Sequence, residues 1–172
     1  MILSGLEIAK KVAEEKEIFI SDFNPKNLGP NSYDLRLDNK LLVYEDSTLD
    51  MRSQNYTKEI IIPDEGYIIT PGKLYLGQTI EYTKTKGYVP MLEGRSSIGR
   101  LGISIHITAG FGDVGFEGYW TLEIYCLHPI RIYAKERICQ IYYHKIEGDY
   151  LPYKGKYQAN KGIQASMKYK DG

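Results

Sequence analysis

Residues 92–125 read LEGRSSIGRLGISIHITAGFGDVGFEGYWTLEIY, and this stretch decides which fold the chain can form. Apolar and polar residues alternate at 103–107 and again at 119–127, which is the two-residue period of a half-buried β-strand. Glycines separate these two runs, as they do where a backbone turns tightly. The stretch therefore predicts two strands joined by a glycine-rich loop, with one helical turn at 96–101 before them.

Outside this stretch, short strand-like runs continue in both directions along the chain. They are bounded by turn signals such as Pro71-Gly72. Short strands at close, regular spacing are typical of a β-barrel or a β-sandwich. The further strands are predicted at 31–37, 41–44, 60–62, 67–70, 74–82, 88–92, 130–133 and 138–146.

One helix is predicted at the N-terminus. Ser4 can cap it and Glu7 can return the bond, which together form a capping box. Leu3 and Ile8 are placed to form a hydrophobic staple at the same end. Good helix formers follow through Lys16, where we expect the helix to end.

Composition limits the functions that are open to the chain. Its 172 residues suit one domain, 1–172, and its 22 basic and 22 acidic side chains balance, so no nucleic-acid partner is expected. The two cysteines lack metal-type spacing and fit a reducing compartment, which predicts a cytoplasmic protein. No apolar run approaches the roughly 20 residues of a membrane helix, and no signal peptide is recognisable. We therefore expect no membrane association.

The polar run at 94–102 is a candidate phosphate-binding loop. It places Arg95, Ser96, Ser97 and Arg100 among glycines. Arginine binds phosphate oxygens through a planar charged fork, and serine hydroxyls add neutral donors. The spacing is not that of a P-loop. A polar turn with solvated arginines would have the same composition.

Two further features could carry chemistry. The loop at 106–118 contains four glycines and Asp113, so its backbone could read the edge of a base, although it could equally be a long hairpin connection. Glu123 lies in an apolar strand, on the same face as Thr121 and Tyr125. Such a carboxylate can shuttle protons, but an exposed strand glutamate is the ordinary alternative.

Taken together, these runs resemble the dCTP deaminase family of the dCTP deaminase/dUTPase superfamily. The resemblance rests on GRSSIGRLG at 94–102, TAGF at 108–111 with Asp113, and TLE at 121–123. Additional matches are MILS at 1–4, SYDLRL at 32–37, RICQ at 137–140, and YKGKY at 153–157 followed by KG at 161–162. The resemblance thus covers nearly the whole chain.

The resemblance implies a mainly β fold, a distorted β-barrel of the trimeric dUTPase type with a short N-terminal helix. It also implies a flexible C-terminal tail at 153–172, which would close over the active site as a lid. The protein would be a homotrimer with its active sites between subunits. Its substrates would be dCTP and dUTP, and Mg²⁺ would bind through the triphosphate rather than through protein side chains.

The resemblance also implies roles for individual residues. Glu123 would activate water and relay its proton to the leaving ammonia. Ser96 and Arg100 would position that water and the cytosine ring, and stabilise charge at C4. Asp113 would hold the sugar and help to activate a second water at the α-phosphate. The remaining nucleotide-binding candidates are Arg95, Ser97, Thr108, Ala109, Gly110, Gln140, Tyr153, Lys156 and Lys161.

A zinc-dependent deamination does not fit the sequence. Zinc deaminases use an H-x-E motif and a P-C-x-x-C motif. His106, His128 and His144 lack the following glutamate, and Cys126 and Cys139 are far apart in the sequence. The remaining interpretation is that a carboxylate activates the water that attacks the base, and that no metal takes part in this attack.

The residues after Thr108-Ala109 indicate how many reactions occur. Gly110-Phe111 resembles the dUMP-forming members of the family, which deaminate dCTP and then split dUTP into dUMP and pyrophosphate for thymidylate synthesis. The small Gly110 would leave room for a second water. Two departures from the family pattern, Gly112 and Val114, put the second reaction in question, because Gly112 should loosen the loop that places Asp113. The alternatives are a deaminase that releases dUTP, a plain dUTPase, and a non-catalytic nucleotide-sensing protein.

Overall fold

Alternating apolar and polar residues produce a structure made almost entirely of β-strands. A computed structural model describes residues 1–171, so Gly172, the last residue of the predicted lid, lies outside the described residues. The strands are β1 (Ile18–Ile20), β2 (Tyr33–Arg36), β3 (Lys40–Tyr44), β4 (Thr57–Ile61), β5 (Tyr67–Ile69), β6 (Tyr75–Thr85), β7 (Tyr88–Gly94), β8 (Ile103–Ile105), β9 (Glu117–Cys126), β10 (Ile130–Ile132) and β11 (Arg137–Lys145). The helices are α1 (Gly5–Glu14) and α2 (Ser96–Gly99), with short 3₁₀ turns at Pro25–Asn27 and Lys168–Lys170.

The N-terminal helix begins where the sequence predicts and ends earlier. The Ser4 hydroxyl accepts a hydrogen bond from the Glu7 backbone N–H at 3.2 Å. The Glu7 carboxylate lies 3.9 Å from the ammonium of Lys11, one turn further on. Helix α1 ends at Glu14, before the predicted Lys16, because Glu15 adopts a left-handed φ of 53°.

The strands form three sheets around one core. The largest has the order β4-β3-β6-β9-β8, and β1 pairs with the far end of β6. A second sheet has the order β2-β11-β7, and β10 and β5 form a third, two-stranded sheet. The prediction of a mainly β fold is confirmed. The sheets do not close into a single regular barrel, which makes the arrangement a distorted one.

Strand β9 connects the core to the surface that carries the candidate site. Its residues alternate strictly between partly buried and buried, and Leu122 and Ile124 are fully buried. Thr121 and Glu123 consequently lie on the opposite face of the strand. Opposite Trp120, the pairing of β6 with β9 is interrupted between Gln78 and Tyr82. Within the described residues, none of the helices has the length and apolar character needed to span a membrane.

Candidate active site

A cavity of about 480 Å³ opens beside β9, between the loop that follows β8 and the C-terminal tail. Its polar wall includes Asp113, Thr121, Glu123, Asn160 and Gln164. Its aromatic wall is formed by Phe111, Phe116, Tyr119, Trp120, Tyr153 and Tyr157, with Ala109 and His106 nearby. Carboxylates, amides and flat aromatic faces in one cavity suit a ligand with a planar ring and polar edges.

Glu123 is fixed at the cavity by the loop that passes over it. Its Oε2 atom accepts a hydrogen bond from the Thr108 backbone N–H at 3.1 Å and lies 3.3 Å from the Thr108 hydroxyl. The His106 N–H donates to the Glu123 carbonyl at 2.9 Å, so loop and strand are also joined through the backbone. Both side-chain bonds use Oε2 and leave Oε1 free of them. This places Glu123, Thr108 and Ala109 together, as the sequence predicts.

The loop that carries Asp113 is packed tightly against β7. The Leu92 N–H donates to the Gly110 carbonyl at 2.7 Å, and the Gly112 N–H donates to the Pro90 carbonyl at 2.9 Å. A Cβ atom at Gly110 would lie 2.4 Å from the Leu92 carbonyl oxygen. Gly110 therefore allows the loop to approach β7 closely. The Leu92 carbonyl occupies the space that a side chain at Gly110 would fill, so this space is not available to a second water, contrary to expectation.

Gly112 does not loosen this loop, and that expectation is wrong. The residue is buried, and a Cβ atom there would lie 2.6 Å from the Trp120 ring and 2.7 Å from the Pro90 carbonyl oxygen. The absence of a side chain permits tight packing, which restricts the backbone next to Asp113. The particular doubt that Gly112 cast on the second reaction is thereby removed.

His106 lines the cavity, although from the sequence it was weighed only as a possible zinc ligand. Burial lowers its pKa from the ordinary value of 6.5, while the nearby Glu123 carboxylate acts in the opposite direction. Its Nδ1 atom is buried without a hydrogen-bond partner, and its ring lies edge-on to Trp120 at 6.1 Å. The sequence gives little sign that His106 belongs to the site, because Glu123 and Trp120, which lie near it in the structure, come from strand β9.

The polar run at 94–102, called the arginine–serine loop from here on, lies apart from the cavity that contains Glu123. Arg95 and Ser96 line a second, more open cavity of about 430 Å³, and His106 contributes to both cavities. Ser97 and Arg100 are exposed, at and just after α2. Within this single chain, the predicted catalytic residues therefore form two groups: Ser96 with Arg100, and Glu123 with Asp113.

Arg95 and Gln140 already have protein partners. The Arg95 guanidinium forms an ion pair with Asp34 at 3.0 Å and donates to the Arg137 carbonyl at 3.2 Å. The Gln140 amide accepts from the Ser32 hydroxyl at 2.9 Å and donates to the Gly94 carbonyl at 3.1 Å. Both side chains hold the start of the arginine–serine loop against β2 and β11. Sequence reasoning missed Asp34 because it lies far from Arg95 along the chain.

The C-terminal tail packs along the part of β9 that β8 does not cover. The Asn160 side chain accepts from the Tyr119 N–H and donates to the Tyr119 carbonyl, both at 2.9 Å. The Gln164 N–H donates to the Thr121 hydroxyl at 3.0 Å. Amide groups, which the sequence did not single out, therefore hold the tail. Among the tail residues that it did predict, Tyr153 lines the cavity, Lys156 pairs with Asp171, and Lys161 is exposed.

A glutamate-bearing cavity and a separate arginine–serine loop, on a mainly β chain, fit the dCTP deaminase/dUTPase superfamily. A solved structure agrees at the level of the fold. The crystal structure of the 2'-deoxycytidine 5'-triphosphate deaminase from Agrobacterium tumefaciens matches with a TM-score of 0.66 and 22% sequence identity, over 83% of this chain and 47% of that chain.

The chain belongs to the dCTP deaminase-like family, whose model matches residues 2–146. It is 63% identical over 172 residues to the "dCTP deaminase, dUMP-forming" of Clostridium acetobutylicum, covering 99% of this chain and 98% of that protein. It is 62% identical to the protein of the same description from Cytophaga hutchinsonii, again covering 99% and 98%. The resemblance stated from the sequence is thereby confirmed.

Proposed function

We propose that the protein deaminates dCTP at C4 of the cytosine ring and then hydrolyses the resulting dUTP to dUMP and pyrophosphate. The observation that carries the proposal is the Glu123 carboxylate, held by Thr108 in the same cavity as Asp113. The descriptions of the close relatives, "dCTP deaminase, dUMP-forming", support both steps. The dUMP would serve thymidylate synthesis.

In the first reaction, Glu123 acts on water. Its carboxylate removes a proton while the water oxygen bonds to C4, and the carbon becomes tetrahedral. The electrons of the C4–N3 double bond move to N3 as the water adds. The carboxyl group then returns the proton to the exocyclic nitrogen, and ammonia leaves as the bond from C4 to that nitrogen breaks and the C4–N3 double bond forms again. The proton left on the C4 hydroxyl moves to N3, which gives uracil. The hydrogen bonds from Thr108 fix Oε2, so Oε1 is available to the water. Ser96 and Arg100 would stabilise the charge that develops on the ring.

In the second reaction, Asp113 acts on a different water. That water bonds to the α-phosphorus of dUTP and loses its proton to the Asp113 carboxylate, and pyrophosphate leaves. Asp113 and Glu123 both line the cavity, together with residues of the tail, which supports this assignment. The exposed Ser97 and Lys161 remain candidates for the triphosphate.

We also propose that the complete site forms between subunits of a homotrimer. Ser96 and Arg100 lie outside the cavity that contains Glu123, so a neighbouring copy would have to supply them. Leu101, Ile107 and Leu127 are at least half exposed near the arginine–serine loop. A second copy on this face would remove these apolar side chains from water.

Magnesium would be held mainly by the substrate. Among residues 1–171, no three histidine, cysteine, aspartate or glutamate side chains converge as a metal site. Phosphate oxygens are hard anionic ligands of the kind that Mg²⁺ prefers, and the nearby Asp113 carboxylate is compatible with such an ion. When bound, the ion would neutralise charge on the phosphates. The buried free thiols of Cys126 and Cys139 support a cytoplasmic location.

The decisive experiment is product analysis by chromatography after incubation with dCTP and Mg²⁺, with dUTP alone in a parallel tube. We expect dUMP and pyrophosphate from both substrates. Release of dUTP alone would indicate a deaminase without the second step. Conversion of dUTP but not dCTP would indicate a plain dUTPase, and no turnover with retained binding would indicate a nucleotide sensor.

Glu123→Gln tests the first reaction separately. The amide cannot accept the proton of water, so deamination should fall by at least about a hundredfold. Nucleotide binding, measured by calorimetry, should be retained because the substitution preserves size. Hydrolysis of dUTP should continue because Asp113 is untouched. Survival of deamination in this variant would show that the assigned role of Glu123 is wrong.

A further inference from the structure

Trp120, the single tryptophan of the chain, is anchored at both ends inside the structure. It lies opposite the interruption in the pairing of β6 with β9, where its backbone N–H donates to the Thr79 hydroxyl at 3.0 Å. Its indole N–H donates to the Thr83 hydroxyl at 2.9 Å. All three side chains are buried, so the indole ring has a defined position rather than a choice of orientations.

The ring lies against Gly112, which directly precedes Asp113, and against Phe116, three residues after it. On one side, a Cβ atom at Gly112 would be 2.6 Å from the outer edge of the indole, so the Gly112 backbone rests directly on it. On the other side, the Phe116 ring lies 4.8 Å from the indole, centroid to centroid. The Phe116 N–H also donates to the Asp113 carbonyl at 3.1 Å.

Asp113 depends on this support because its side chain has no other fixed contact. The carboxylate is exposed, and within residues 1–171 it forms neither a hydrogen bond nor an ion pair. Glu123 differs in this respect, since Thr108 holds its carboxylate directly. The backbone of the loop therefore sets the position of Asp113, and the indole supports that backbone together with its hydrogen bonds to β7.

We propose that Trp120 is a positioning residue for the hydrolysis of dUTP. It acts through Asp113, by supporting the loop on both sides of that residue, and the hydroxyl of Thr83 fixes the indole in turn. This inference rests on the proposed function, in which Asp113 activates the second water. It implies that dUTP hydrolysis is more sensitive than dCTP deamination to loss of the hydrogen bond from the Trp120 indole to the Thr83 hydroxyl.

The most informative variants change Thr83 and leave the indole in place. Thr83→Val preserves the shape of the side chain and removes the acceptor, so the indole N–H is buried without a partner and the ring must move. Thr83→Ser restores the hydroxyl and is the matched control. Trp120→Phe keeps a ring and removes the N–H, which gives an independent route to the same effect.

We expect Thr83→Val to lower kcat for dUTP hydrolysis by about tenfold, because small displacements of a catalytic group have effects of this size or larger. Deamination of dCTP should change by less than about threefold, since Thr108 and not the indole positions Glu123. With dCTP as substrate, dUTP should therefore accumulate before dUMP forms. Thr83→Ser should restore the ratio of dUMP to dUTP.

Fluorescence provides a readout that does not depend on turnover. All tryptophan emission comes from Trp120, which lines the cavity. The emission maximum should shift in Thr83→Val and return in Thr83→Ser. Titration with a dUTP analogue carrying a non-hydrolysable imido bridge between the α- and β-phosphates should change the emission of the wild type, and to a smaller extent that of Thr83→Val.

The outcomes separate this inference from the proposed function. If the wild type forms dUMP and Thr83→Val keeps the same ratio of dUMP to dUTP while its emission shifts, the indole moves without affecting Asp113 and the inference is wrong. An equal fall in both reactions would also overturn it, since that indicates general damage. If the wild type releases only dUTP, the two-step function fails, and the inference fails with it.

Discussion

At the scale of single residues, close packing and backbone hydrogen bonds together give the loop beside Asp113 its shape. Gly112 is the residue at which two physical effects make opposite predictions. If the glycine merely loosens the loop, Gly112→Ala should stabilise the protein by about 0.4–1 kcal/mol, through the reduced entropy of the unfolded chain. The contacts with Trp120 and Pro90 predict the reverse.

We expect Gly112→Ala to lower the free energy of unfolding by about 1–3 kcal/mol, because the added methyl group overpacks a filled space. Denaturation in urea measures this quantity. Gly162→Ala is the matched control, since no atom lies within 4 Å of a Cβ atom at that position. A stabilised Gly112→Ala variant would contradict the close packing.

His106 gives stability a dependence on pH. Burial lowers its pKa below 6.5 in the folded state, so the unfolded chain binds the proton more readily. Stability should consequently fall as pH decreases from 6.5 towards the lowered pKa, and His106 should contribute no pH dependence above that window. Its positive φ of 61° makes asparagine the best replacement, because asparagine tolerates that conformation.

Urea denaturation of the wild type and of His106→Asn, between about pH 7.5 and pH 5.5, measures this difference. The wild type should lose more unfolding free energy than the variant over that interval. Parallel curves for the two proteins would show that His106 does not titrate differently in the folded and unfolded states.

At the scale of elements, side-chain hydrogen bonds rather than regular strand pairing hold the tail against β9. Asn160 mimics a strand by exchanging two hydrogen bonds with the backbone of Tyr119. Asn160→Ala removes both bonds, each worth about 1 kcal/mol. We expect KM for dCTP to rise severalfold and kcat to change less if the tail closes over bound substrate, as proposed.

Steady-state kinetics on Asn160→Ala and Asn160→Asp test this role of the tail. The aspartate keeps the acceptor for the Tyr119 N–H and loses the donor, so its KM should lie between those of the alanine variant and the wild type. An unchanged KM in both variants would mean that the tail does not contribute to substrate binding through Asn160.

The sequence predicts most elements, and those that it misses share a physical cause. Short apolar or alternating runs between turn signals identified ten of the strands, and in strands such as β9 the buried face follows the two-residue period. Strand β1 was missed since Ile18-Phe19-Ile20 follows a run of helix formers with no glycine or proline between them. Its strand character comes from pairing with Thr83–Thr85 of β6, which is a tertiary contact.

For the candidate site, the sequence identified the residues that a family motif contains and missed those that hold them. Glu123, Thr108 and Asp113 belong to recognisable runs. Their supports include Thr83 and Asn160 from distant parts of the chain and the nearby Trp120, all ordinary residues for a β-protein. Only the three-dimensional arrangement shows which backbone each of these side chains holds.

At the scale of the whole molecule, the separation of Ser96 from Glu123 predicts a test of assembly. Two inactive variants, Ser96→Ala and Glu123→Gln, damage different parts of the proposed shared site. Trimers that contain both variants should include some sites with an intact Ser96 from one subunit and an intact Glu123 from its neighbour. Deamination should therefore reappear after the two proteins are refolded together.

Light scattering coupled to size exclusion measures the mass of the assembly, and the deamination assay measures its recovery. Each variant refolded alone is the control and should stay inactive. If the mixture also stays inactive while trimers form, both residues act within one subunit, and the proposal of a shared site is wrong.

The path of the tail along β9 has a consequence for solubility. Where β8 stops pairing with β9, an unprotected strand edge would offer free backbone N–H and carbonyl groups to any other extended chain. Asn160 and Gln164 occupy this edge with side-chain and backbone groups of the tail. The tail that lines the cavity thus also shields the molecule from edge-to-edge aggregation. Proteolytic loss of the tail would therefore favour self-association, in addition to weakening substrate binding.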